Sequence, residues 1–169
     1  MLSLFLALTA FNLLCLLLTA ALGYAYGGSE VTQWHALAGV VATITCVAVH
    51  CVVFTYFIAT AKWVRHAVTV KNLDPSLAAP TRSFKLQAFP AALLAMGVVF
   101  VAALLGAARA SYGTSPAWHH AAAWVAVAVN LLVAVIEYRA IARNGRLIDD
   151  VLARINSAGG SAPSVGPVT

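Results

Sequence analysis

Charge is what this chain has least of. Of its 169 residues only five are acidic (Glu30, Asp74, Glu137, Asp149 and Asp150), and Lys and Arg add ten more, so charged residues make up 9%. Ordinary soluble domains carry about 25%. Water is therefore not the main solvent of this protein. The shortage also excludes chemistry. There is no carboxylate pair suited to hydrolysis, no Ser-His-Asp set, no His-Glu-x-x-His and no phosphate-binding glycine loop. A self-contained enzyme is not expected.

Cysteine is scarce as well. Cys15, Cys46 and Cys51 are an odd number, and all fall inside apolar stretches, which argues against a disulfide framework. Cys46 and Cys51 diverge by roughly 140° on a helix and are not expected to bridge. Cys15 and Cys51 read as small, buried apolar side chains. The net charge of +5 does not point to nucleic acid, because the basic residues flank apolar runs, where they set membrane orientation.

What the chain has in abundance is apolar sequence: 62% of it is hydrophobic, with a mean hydropathy of +0.90. An apolar run of about 20 residues suffices to cross a bilayer. Four such runs predict an all-α, integral membrane four-helix bundle, with helices over about 2–26, 32–65, 86–108 and 116–143. No Lys or Arg precedes the first run, which is also longer than a secretory leader's core. A retained first helix is expected. Tyr24 and Tyr26 belong to an interfacial belt, and Ser29 or Thr32 is expected to cap the second helix. Pro90 is expected in the first turns of the third helix, which otherwise reads as scaffold. Ala102 and Gly106 have the small-xxx-small spacing of close helix contact. Ser115 before Pro116 suits a cap on the fourth helix. Leu147, Ile148, Val151, Leu152 and Ile155 predict a separate amphipathic surface helix over about 146–156, and residues 157–169 read as a disordered tail.

Basic residues gather between the second and third helices (Lys62, Arg65, Lys71, Arg82, Lys85) and after the fourth (Arg139, Arg143, Arg146, Arg154), against Arg109 alone on the other side. The positive-inside rule puts both termini in the cytoplasm, in a bacterial-type inner or plasma membrane. The size suits a subunit with homo- or hetero-oligomeric membrane partners.

The rare polar residues carry the functional signal, since ionisable groups inside a span are costly. Trp34-His35 and Trp118-His119 each open a long apolar run ending in Lys or Arg, which suggests two loosely repeated helical hairpins. Taking about 100° per residue, Cys46 and His50 lie within roughly 20° and 60° of His35. On the fourth helix, Asn130 and Glu137 lie within about 20° of His119. These stripes, with Thr9, Asn12 and Thr19 on the first helix, define a polar seam inside the bundle.

Three readings follow. His35 with His119 or His120, at equal depth on parallel helices, has the makings of a bis-histidine haem b site for electron transfer near a quinone. Cys46 and His50, at i and i+4, suit copper or zinc, although a His50–Glu137 hydrogen bond is the simpler use of that histidine. Together His50, Asn130 and Glu137 are also candidates for a proton relay. The third reading is a cofactor-free scaffold or assembly subunit, with the histidines only hydrogen-bonded; Trp-His at a helix start is also an ordinary interfacial pairing with a solvated histidine, and His66 falls in the basic collar.

Overall fold

A computed structural model describes residues 1–25 and 33–159. The chain forms four helices: α1 (Leu2–Ala25), α2 (Gln33–Val70), α3 (Pro80–Tyr112) and α4 (Pro116–Gly159). Each includes a stretch long and apolar enough to cross a membrane. Tyr26, the caps expected at Ser29 or Thr32, and the tail from 160 onward lie outside the described residues.

Helix ends follow local chemistry. Asn72 adopts a left-handed φ of 48°, which asparagine tolerates better than most residues. Behind it the Leu73 amide donates to the Val68 carbonyl at 3.0 Å, the six-to-one bond that closes a helix terminus. Asp74 then accepts from the Ser76 amide at 2.9 Å and caps a 3-10 turn, Pro75–Ala78. That amide holds the Asp74 carboxyl below the ordinary carboxylate range. Gly113, at φ 63°, ends α3 by donating its amide to the Arg109 carbonyl. The Ser115 hydroxyl accepts from the Ala117 amide at 3.4 Å, with Pro116 as the first helical residue.

Several helix boundaries differ from expectation. α2 runs on to Val70, five residues past Arg65. α3 begins at Pro80, so Pro90 lies well inside it and leaves the Leu86 carbonyl without a helical donor. The amphipathic stretch over 146–156 is a direct continuation of α4, not a separate surface helix, and the helix takes in residues 157–159 too. Nothing between Arg143 and Arg146 stops it, since Gly145 costs only about 1 kcal/mol relative to Ala in a helix.

The bundle is cyclic. α1 packs on α2 and α4, α3 packs on the same two, and α2 and α4 meet across the diagonal. Buried positions on α4 are Ala126, Asn130, Val133, Glu137, Ala140, Asn144, Leu147 and Val151, with Ile141 beside Ala140. They advance by alternating steps of four and three, the 3.5-residue period of left-handed bundles. Outside, large apolar side chains stand free: Leu4, Leu14, Ile44, Leu93, Leu104 and Leu132 are each more than half exposed. An apolar exterior on this scale marks a lipid or protein contact surface. Cys51 is on that exterior and so is not the buried side chain expected. Cys15 is half-buried and Cys46 buried; all three are free.

Candidate functional site

The axis of the bundle carries polar side chains in successive layers. At one end, α2 and α4 bring His35 and His119 together, ring centres 5.9 Å apart and nearly perpendicular at 78°. Each ring lies against a glycine of the preceding helix. A Cβ on Gly23 would stand 2.9 Å from His35 Cε1, and one on Gly106 would stand 2.9 Å from His119 Cε1. A Cβ at either place would displace the ring, which occupies the volume of the missing side chain. His119 Nδ1 also lies 2.9 Å from the Ala102 carbonyl. That bond makes Nδ1 the donor and leaves Nε2 as the free lone pair, the usual way a ligating imidazole is oriented. His35 leans on the Thr19 backbone, although its buried Nδ1 finds no partner at full hydrogen-bond geometry among the described residues.

Around these rings is a cavity of about 450 Å³, with Thr19, Gly39, Arg109, His120 and Ala123 in its wall. Its size is within the common range for small-molecule sites. His120 turns toward Tyr24, with ring centres 4.7 Å apart, and lies 6.1 Å from His119. The Tyr24 hydroxyl accepts from Trp124 Nε1 at 2.9 Å. The structure therefore pairs His35 with His119 and places His120 at the cavity edge.

Substitution at these glycines separates packing from propensity. Gly106→Ala is expected to push the His119 ring off the Ala102 carbonyl and destabilise the protein by about 1–3 kcal/mol, the usual cost of overpacking. Gly97, also in α3, has open space where its Cβ would stand. Gly97→Ala is expected to be neutral or stabilising by up to about 1 kcal/mol. Thermal unfolding of both variants in one detergent checks the contrast.

The next layer is an amide hub. Asn130 Oδ1 accepts from Asn12 Nδ2 at 3.1 Å and from Cys46 Sγ at 3.4 Å. Its Nδ2 donates to the carbonyls of Ala126 at 2.9 Å and Ala95 at 3.4 Å. All four helices thus meet on one side chain. Asn130→Leu would strand buried groups on α1 and α2, each costing about 1–3 kcal/mol. The expected result is a markedly lower denaturant midpoint, whereas Asn130→Gln keeps the amide and loses less.

Below the hub, His50 Nδ1 lies 2.8 Å from Glu137 Oε1, with the two side chains only 3% and 1% exposed. The pair neutralises two groups that neither lipid nor an apolar core would accept singly. One layer further, Asn144 Nδ2 donates to Thr60 Oγ1 at 3.0 Å. His66 lies on the exposed side of α2.

Cys46 and His50 each turn to a partner on α4, and among the described residues no three His, Cys, Asp or Glu side chains gather as a metal site would require. Sequence reasoning passed over α3, because its contributions are the carbonyls of Ala95 and Ala102, which carry no side-chain signal. The Ala102–Gly106 spacing was the one trace of them. Arg109, read only for orientation, also lines the cavity. Comparison with protein families, with characterised proteins and with solved structures finds no match, so the functional reading of this chain rests on its own geometry.

Proposed function

We propose that this protein is an integral membrane subunit that binds haem b for electron transfer, and that His35 and His119 are the residues that would hold it. The observation that carries the reading is the 5.9 Å separation of these two rings at a cavity of about 450 Å³. Metal–imidazole bonds are about 2.0–2.1 Å long, so two imidazoles would have to lie about this close to share one metal ion. The Ala102 bond to His119 Nδ1 leaves Nε2 for the iron, and Arg109 suits a carboxylate side chain of the macrocycle. A bound haem would supply one-electron chemistry, and the protein tunes it through ligand identity and burial.

The pairing of contacts supports reading the chain as two repeated hairpins. Gly23 against His35 and Gly106 against His119 make like contacts, although the glycines are 83 residues apart and the histidines 84, and the Cys46–Asn130 and Thr60–Asn144 bonds both join residues 84 apart. The distribution of Lys and Arg favours cytoplasmic termini and a cavity opening toward the opposite face. There, exposed Trp34 and Trp118 suit the interfacial belt. Short connections favour a partner within the bilayer, with a quinone as the mobile electron carrier.

The test is direct. Purified protein titrated with haem is expected to develop a Soret band that saturates at one equivalent. A protein that stays colourless and assembles normally would overturn the proposal and leave the cofactor-free scaffold, a role to which the fully bonded Asn130 hub is already suited.

A further inference from the structure

Three polar atoms in the middle of the bundle are buried without a hydrogen-bond partner among the described residues: Thr9 Oγ1, Asn12 Oδ1 and His50 Nε2. Asn12 and His50 are each 3% exposed. Five other helical threonines are bonded to their own helix. Thr19, Thr43, Thr55, Thr60 and Thr69 all donate to the carbonyl four residues back. Thr9 makes no such bond.

The antiparallel register sets the three at neighbouring levels. α1 and α2 match residue 23 with 35, and Asn12 and Cys46 meet on the same Asn130 oxygen. Continuing that register sets Thr9 at the level of Val49 and His50. Unpaired buried groups cost about 1–3 kcal/mol each, and a buried water is the ordinary remedy where two to four polar atoms converge. On α3 the next buried residues below Ala95 are Ala92 and Ala88, both small.

We infer that ordered water occupies the gap among Thr9, Asn12 and His50, and that it puts the His50–Glu137 pair in proton exchange with the cavity at the histidine end. The chemistry balances simply. Hydronium delivers a proton to His50 Nε2 and becomes water, and the imidazolium is matched by the Glu137 carboxylate bonded to Nδ1. Among the described residues, the titratable side chains that act on His50 are Glu137 and Cys46; α1 presents Thr9 and Asn12, and α3 presents alanines. Toward the other end the axis is closed by Phe57, Ala140 and Ile141, each no more than 2% exposed. The polar layers therefore form a proton store with a single entrance, not a channel through the bundle.

The experiment uses the full chain in lipid nanodiscs, labelled with ¹⁵N-histidine and a ¹⁵N backbone, with His50→Gln assigning the signal. The His50 ring N–H is expected to show a cross-peak to water and to exchange about a hundredfold faster than the Val49 and Val53 amides, which must await helix opening. Thr9→Val and Asn12→Leu are each expected to weaken the cross-peak. Gly39→Phe, which fills the cavity, is expected to slow the exchange. A wild-type ring proton that shows no water contact and exchanges as slowly as those amides overturns the inference. Fast exchange untouched by Gly39→Phe overturns the entrance. The inference stands on the polar layers and the cavity alone. A protein without a Soret band whose His50 exchanges quickly removes only the haem reading.

Discussion

Replacing His119 by alanine is expected to abolish saturable haem binding, while His120→Ala leaves it nearly intact. Both residues border the same cavity, so the contrast tests geometry and not mere proximity. His119 faces His35 and is oriented by the Ala102 carbonyl; His120 is turned to Tyr24. Losing an outer-shell partner of a metal ligand typically costs about 10–100-fold in affinity, and losing the ligand itself should exceed that. Haem titrations followed at the Soret band check it. Equal affinities for wild type, His35→Ala and His119→Ala would mean that haem associates elsewhere on the apolar surface, and the bis-histidine proposal would fail.

The second large effect concerns the buried pair. Glu137→Leu removes the partner of His50 Nδ1, and His50→Leu leaves a carboxylate at 1% exposure. Each single change is expected to destabilise by about 3–5 kcal/mol, the usual result of breaking a buried ion pair. The double change to leucine at both positions is expected to recover most of that loss, because an apolar replacement of a whole pair is often neutral or stabilising. Unfolding midpoints in mixed micelles give the four corners of the cycle. Additive losses would show that His50 and Glu137 contribute separately and not as one bonded unit.

The helices and their inward faces were legible because composition leaves few choices. With charge so scarce, each polar residue inside an apolar run marks the axis, and wheel angles put Asn12, Cys46, His50, Asn130 and Glu137 on inward stripes. Depth matching on parallel helices was enough to bring His50 toward Glu137 and His35 toward His119. What stayed hidden was the work of groups with no side-chain signature. The Ala95 and Ala102 carbonyls, the space left by Gly23 and Gly106, and the role of Asn130 as a junction all arise only after packing. Cys51 was misread because its small, soft side chain suits either a core or a lipid-facing surface. The continuation of α4 was missed because its amphipathic face belongs to the same buried track as the apolar span.

That track has one further consequence. Asn130, Glu137 and Asn144 are spaced seven residues apart, and each meets a different chemical partner across the bundle: a thiol with an amide, an imidazole, and a hydroxyl. The nearest alternative docking of α4 is a slide of one repeat, about 10 Å along its axis, which would set every one of these groups opposite the wrong mate. The sequence of unlike rungs thus acts as a key cut with three different teeth. Deleting a single residue between Asn130 and Glu137 would rotate the lower two teeth by about 100° and leave the helix with no position in which the lock turns.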